Sequence, residues 1–347
     1  MRLPCADPVS GRSLNFWEFP KWMVEVVADN GLTGLGEPRR GGLLQLLRDY
    51  AERLIGKELV ELPVGHLPLP HGDHYESYII YEAYEMAWLD LLGKHLGVPV
   101  WHLLGGKRTS RVPIDFWMGR MTPEDTARRT EEAVRLGFQG AKMKCVLGDP
   151  IAERVRAVRE VAPHFSVVLD PNERFVNPAG AMQVARSLEA FDRVTFESPV
   201  PQHRLEWYVL LRSKLRLPIA LHLTSLRDLL AALKLDAADY YNLLGPLVEF
   251  SQWARLAQAA GCPAWRGTGM DLGVRDASSV HAAAAAGCEL PSDIIGHLLR
   301  EDDLIADPIP FEDGCLLVSD KPGLGVELDR EALREYEVGS EVRIVMI

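Results

Sequence analysis

The sequence predicts an α/β fold: a (β/α)7-8 barrel of the TIM type with an α+β capping domain built from the N-terminal region and the C-terminal segment. Three observations carry this. Strand-like and helical patterns alternate from about Arg111 onward, the residues that end successive strand-like runs recur at an even interval, and the N-terminal third follows a different, strand-then-helix order.

The N-terminal module comes first. Residues 20–30 (PKWMVEVVADN) read as a strand entering a turn, and Gly31-Leu32-Thr33-Gly34-Leu35-Gly36 continues a hairpin-like segment. Helical periodicity follows over Leu43 to Leu54 and is strong from Tyr81 to Gly97, where apolar residues recur at three- and four-residue spacing. Residues 1–110 are assigned to the cap, 111–305 to the barrel and 306–347 to a segment that returns to the cap.

In the barrel region, apolar runs (VPIDFWM, GAKMKC, SVVLD, RVTFE, LPIALHL, YYNLL, CPAWRG) are separated by amphipathic stretches such as Pro123–Leu136, Ala152–Ala162 and Leu226–Leu233. Lys144 to Asp170 is 26 residues, Asp170 to Glu197 is 27, and Glu197 to Leu223 is 26. Each interval holds one strand, one helix and two short loops. A closed ring needs such even units, whereas an open doubly wound sheet does not. From Pro308 the pattern is that of a hairpin (DGCLLVSDKPGLGVELD), with no further βα unit.

Composition excludes several function classes. Of 347 residues, 47% are hydrophobic, enough for a large core, and the formal net charge is −11. No Lys/Arg run supplies the basic patch that a nucleic acid would need. No apolar run is long enough to span a bilayer. The five cysteines are scattered without CxxC spacing, which suits a reducing compartment, and MRLPCADPVSGRS carries no secretory apolar run. A cytoplasmic location is therefore expected. Gly105-Gly106 and Gly267–Gly273 match no phosphate-binding loop.

Active groups of such barrels gather at the C-terminal ends of the strands. Reading those ends gives Lys142 and Lys144, then Asp170 and Asn172, then Glu197. Lysines two apart on a strand share a face. Two ammonium groups held together disfavour each other's charge, which would make one a usable base. Carboxylates on the next two strands offer oxygens for a hard cation. A cation beside a lysine suits removal of a proton α to a carboxylate. Alone, the lysines would read as solvent-facing strand ends and the acids as caps or ion-pair partners. Their order and spacing favour a site.

In these motifs the chain resembles the enolase superfamily, in its mandelate racemase/muconate lactonizing enzyme branch, over essentially its whole length. The resemblance rests on Gly31–Glu37, the helix Tyr84–Lys94, Leu103–Lys107, Lys142-Met143-Lys144, Asp170-Pro171-Asn172, Glu197-Ser198-Pro199 and Pro322–Val326, with Glu289–Asp293 the weakest match. It implies Lys144 as the proton-abstracting base, Lys142 as its companion, Asp170 and Glu197 as metal ligands, Asn172 as a supporting group and Asp271 as a late carboxylate. It also implies Mg²⁺ as cofactor, a small carboxylate as substrate and, by family habit, a homo-oligomer.

The pattern breaks in two places. The family's third acidic ligand falls on His222 or Leu223, neither of which is an acid. Magnesium, as a hard cation, prefers oxygen, whereas imidazole suits zinc, nickel or iron. His222 reads equally as a pocket residue or a satisfied core histidine. On the next strand the lysine position falls on Leu244, leaving Asn242 as the polar group, and on the strand after that the histidine position falls near Gly267, beside Arg266. Racemisation needs bases on both faces of the α-carbon, so a one-lysine elimination is favoured. The expected activity is an acid-sugar-type dehydratase. A barrel that binds a small acid without metal-dependent turnover, a racemase, an epimerase and a cycloisomerase stand as alternatives, and so do an absent metal or another divalent cation. Trp17 and Phe19 fit a cap loop over the pocket or a packed cap core. His71 and His74 lie in a Pro/Gly loop and read as surface.

Overall fold

The computed structural model describes residues 20–71, 75–269, 271–294, 297–339 and 341–344. Its centre is a seven-stranded, wholly parallel sheet in which each strand pairs with the next along the chain. The strands are β4 (Phe116–Met118), β5 (Gly140–Lys144), β6 (Ser166–Asp170), β7 (Val194–Glu197), β8 (Ile219–Leu223), β9 (Tyr240–Leu243) and β10 (Ala264–Arg266). Between them run the crossover helices α4 (Pro123–Arg135), α5 (Ile151–Val161), α6 (Pro178–Ser187), α7 (Leu205–Lys214), α8 (Leu226–Lys234) and α9 (Leu247–Ala259), and α10 (Gly273–Ala286) follows β10. The even interval in the sequence is this repeat. Strand centres are buried on both sides, as parallel sheets covered by helices require. Local chemistry starts the helices: the Thr122, Asn177 and Ser225 side chains accept from the amides of Asp125, Gly180 and Asp228, and Pro123 and Pro178 occupy the first helical positions.

Among the described residues an eighth regular strand is not formed. Ser292 bridges in parallel to Ile114, while the Asp293 amide donates to the Arg266 carbonyl at 2.9 Å. The segment around Ser292–Asp293 thereby bonds to both edges of the sheet and closes the ring.

The cap begins with β1 (Val24–Val27) and β2 (Thr33–Gly36), an antiparallel hairpin, followed by α1 (Leu44–Leu54), α2 (Tyr75–Leu96) and α3 (Val100–Leu103). The hairpin lies directly on α2. A Cβ on Gly34 or Gly36 would stand 2.0–2.1 Å from the carbonyl oxygens of Ala87 and Ala83, so only glycine permits this approach. The chain then forms β3 (Arg111–Pro113), which pairs with β12 (Cys315–Leu317), itself paired with β11 (Phe311–Glu312); α11 (Arg330–Glu335) comes last. Asp90 of α2 ties the ends together. Its two oxygens accept the amides of Leu324 at 2.6 Å and Leu35 at 2.9 Å. Cys145, Cys262, Cys288 and Cys315 are free thiols, and Cys5 lies outside the described residues. Among the described residues no helix is long and apolar enough to cross a membrane.

Candidate active site

Five consecutive strands, β5 to β9, and the closing segment converge on one cluster. Lys142 and Lys144 extend from the same face of β5. The Lys142 ammonium lies 2.7 Å from Glu197 Oε1, 3.1 Å from Asp170 Oδ2 and 2.6 Å from Asp293 Oδ2. The Lys144 ammonium lies 2.5 Å from the same Asp170 Oδ2 and 2.9 Å from Asn172 Oδ1. Asn172 takes a positive φ of 47°, and its amide donates to Asp170 Oδ1 at 2.9 Å, so the β6 end wraps around its own carboxylate. Asn242 on β9 points inward, and its Nδ2 donates to Glu197 Oε1 at 2.9 Å and Asp293 Oδ2 at 2.6 Å.

His222 and Leu223 illustrate strand alternation. His222 faces the barrel interior, with Nδ1 3.7 Å from Glu197 Oε1, too long for a hydrogen bond. Leu223 turns to the other side and is buried. Of the clustered groups, the Lys144 and His222 side chains keep partial exposure, 16% and 23%, while Glu197 and Asp170 keep 1%.

Electrostatics follow from burial and neighbours. Burial alone would push Lys142 down, but Asp170, Asp293 and Glu197 together outweigh it and hold its pKa well above that of an ordinary lysine. Mutual repulsion of the two lysines, expected from their spacing, is therefore not what governs Lys142. Asp170 is held well below the usual carboxylate range, because Lys142 and Lys144 overcome its burial. Glu197 goes the other way, to about 8, since burial and the charges of Asp170 and Asp293 outweigh Lys142. Burial, with Lys142 nearby, lowers His222 to about 3, so its imidazole is neutral.

Two predicted residues lie elsewhere. Arg266 is turned out of the barrel: its Nη1 donates to the Gly245 carbonyl at 2.7 Å, and its guanidinium lies 4.7 Å from the Phe250 ring centre. Alternation is the cause, because the next residue, Gly267, takes the inward position against Asn242 and His222. Asp271 has no contact with the lysine cluster. Its carboxylate sits 3.2 Å from Lys21 Nζ and 3.5 Å from Arg275 Nε and accepts the Gly269 amide at 2.9 Å. It belongs to a buried ionic seam between cap and barrel with Glu37, Arg39, Glu82 and Arg275. Trp17, Phe19 and His74 lie outside the described residues, whereas His71 pairs with Glu249 at 3.0 Å, away from the cluster.

Asp293 and Asp115 escaped the reading of strand ends. Asp293 sits on a segment too short to announce itself as a strand; its only signal was the weakest of the motif matches. Asp115 is a fully buried acid inside the apolar run VPIDFWM, with Oδ1 unpartnered. Burial, reinforced by Asp293, raises its pKa well above the ordinary value. A lone acid in an apolar strand was the sign available.

The model of the family described as enolase C-terminal domain-like matches residues 125–332, more than half of the chain. The chain belongs to that family. It lies in the mandelate racemase/muconate lactonizing enzyme branch of the enolase superfamily. It is 25% identical to the N-succinyl-L-Arg/Lys racemase of Bacillus cereus, over 99% of this chain and 97% of that one. It is 27% identical to a probable glucarate dehydratase of Streptomyces coelicolor, over 90% and 84%. The muconate lactonizing enzyme of Pseudomonas fluorescens, solved with muconolactone, superposes with a TM-score of 0.83 at 24% identity, over 96% of each chain. These relatives are enzymes of isomerase and lyase type.

Members of this superfamily typically use a divalent metal such as Mg²⁺. Two oxygens of the cluster favour a cation: Glu197 Oε2 and Asn242 Oδ1 are buried without a partner. The donor chemistry opposes it. Among the described residues no three His, Cys, Asp or Glu side chains are arranged to hold a metal ion. The third-ligand position presents an imidazole, and Lys142 already stands among the acids. A divalent ion about 4 Å from that ammonium would meet roughly 8 kcal/mol of repulsion at an effective dielectric of about 20. The residues of this enolase-superfamily chain do not fit a Mg²⁺ site.

Proposed function

We propose that this chain removes the α-proton of a small acid-sugar-type carboxylate, with hydroxyls on its α- and β-carbons, using Lys144, and completes a one-base β-elimination, a dehydratase-type reaction. The supporting observation is Lys144 itself: partly open at the barrel mouth, with Asp170 Oδ2 at 2.5 Å and Asn172 Oδ1 at 2.9 Å. Lys144 acts as the free amine; when it takes the α-proton, the ammonium that forms is flanked by the two oxygens that stabilise it. The C–H electrons move into the carboxylate as an enediolate. The neutral imidazole of His222, also partly exposed, offers one N–H to that oxygen, as a neutral histidine can. The Lys144 ammonium then returns its proton to the departing β-hydroxyl on the same face, giving water and an enol that becomes the keto acid.

Elimination is favoured over racemisation by the opposite wall. The position after β9, where the resemblance places a lysine, is Leu244, which is buried and apolar.

Purified protein incubated with a panel of hydroxy acids in D₂O tests the reading. Wild type should form keto acid or exchange the α-proton, and Lys144→Ala should lower the rate about 10²–10⁴-fold. No turnover or exchange with any acid, or undiminished rates in Lys144→Ala, would overturn it. The outcome of binding without turnover corresponds to a barrel that keeps only its pocket.

A further inference from the structure

We propose that Lys142 is the resident cation of this site, its ammonium occupying the place where a divalent metal would sit, so that the protein works without one. The inference rests on the misfit of the donor set and not on which acid is transformed.

The ammonium has three protons, and three carboxylate oxygens surround it: Glu197 Oε1 at 2.7 Å, Asp293 Oδ2 at 2.6 Å and Asp170 Oδ2 at 3.1 Å. These acids come from β7, the closing segment and β6, while the lysine comes from β5. One side chain therefore joins four parts of the ring, as a coordinated ion would. The lysine side chain is 6% exposed, so water competes little for these contacts.

The oxygens are also used up by other donors. Asn242 Nδ2 donates to Glu197 Oε1 and to Asp293 Oδ2, the same two oxygens that face Lys142. Asp170 Oδ2 also receives Lys144, and Asp170 Oδ1 receives the Asn172 amide. An N–H directed at a carboxylate oxygen occupies the lone pair that a metal would need. What remains unpartnered is one carboxylate oxygen, Glu197 Oε2, the amide oxygen Asn242 Oδ1, which is aimed at Gly267, and the imidazole of His222. One carboxylate oxygen, one amide oxygen and one imidazole fall short of the octahedral, carboxylate-rich oxygen set that Mg²⁺ demands.

An internal ammonium differs from an ion in one functional respect. It cannot dissociate, so the acids stay neutralised at any free-metal concentration. The loss of acid at position 222 and the enclosure of Lys142 are then two sides of one exchange.

The test reads metal, not turnover. Full-length wild type, purified without chelator and dialysed against MgCl₂ or MnCl₂, is measured by elemental analysis, Mn²⁺ electron paramagnetic resonance and thermal unfolding. The expected result is far less than one ion per chain and a Tm indifferent to EDTA or Mn²⁺. Lys142→Met removes the ammonium but keeps the acids, and it should acquire a Mn²⁺ site with a Tm raised by Mn²⁺. Adding Glu197→Gln should abolish that gain. One Mg²⁺ or Mn²⁺ per wild-type chain overturns the inference, as does a folded Lys142→Met that gains no ion. Should Lys142→Met not fold, the wild-type ion count decides alone. The proposed elimination is judged separately by Lys144→Ala, so either idea can fall without the other.

Discussion

Replacing Gly267 by alanine tests whether the inward wall of the site is as tightly keyed as its distances indicate. An added Cβ would stand 2.3 Å from Asn242 Oδ1 and 3.4 Å from His222 Nε2, where ordinary contact begins at about 3.4 Å. The imidazole can stay; the amide must retreat by about an ångström. It is not free to do so, because Asn242 is fully buried and its Nδ2 is pinned to Glu197 Oε1 and Asp293 Oδ2 at 2.9 and 2.6 Å. Overpacking costs about 1–3 kcal/mol, and weakening a bond to a charged acceptor adds about 1.5–3 kcal/mol. Alanine recovers up to about 1 kcal/mol by restricting the unfolded chain. The net expectation is a loss of about 2–4 kcal/mol, read from urea unfolding followed by tryptophan fluorescence. A double-mutant cycle sharpens it. In Gly267→Ala/Asn242→Ala the methyl enters the space the amide vacates, so the pair should cost no more than Asn242→Ala alone. A Gly267→Ala variant within about 0.5 kcal/mol of wild type, or costs that simply add, would refute the reasoning.

Other perturbations probe the cap and its seam. Glu82→Ala strips Arg39 and Arg275 of their shared carboxylate and should cost about 3–5 kcal/mol in the same unfolding assay. Asp90→Ala orphans the amides of Leu35 and Leu324, at about 1–3 kcal/mol each, and should speed hydrogen exchange of the C-terminal segment. Burial raises Glu85 from 4.5 to about 8 in the folded chain. The folded state thus keeps a proton that the unfolded state releases across that window. Stability from this group is full below about pH 4.5 and falls toward pH 8, by up to about 1.4 kcal/mol per unit. Glu85→Gln should flatten the pH–stability curve between those limits; an unchanged slope would assign it to other groups.

Much of the barrel was legible because its physics is local. The runs GAKMK, SVVLD and VTFE are β5, β6 and β7, and the predicted helix Pro123–Leu136 ends one residue beyond α4. The helix read from Tyr81 begins earlier, at Tyr75, since tertiary burial of α2 on nearly every side erases the amphipathic edge that marks a start. Lys142, Lys144, Asp170 and Glu197 could be placed on one rim because evenly spaced strands end at one level. Arg266 could not, as one step of alternation decides whether a side chain enters the barrel or leaves it.

By itself, the sequence determined the repeat, the ring of parallel strands and the charged residues that end them, because periodicity and strand-end position depend on neighbours along the chain. It also determined that position 222 holds no acid. Only the tertiary structure decided what fills the centre. Asp293 reaches Lys142 through the segment that closes the barrel, and Asp271 is drawn away to Lys21 and Arg275 at the cap. Buried charges choose partners by distance in three dimensions: Lys142 and Asp293 lie 151 positions apart, and Lys21 and Asp271 lie 250 apart. No local pattern encodes which acid an ammonium will meet.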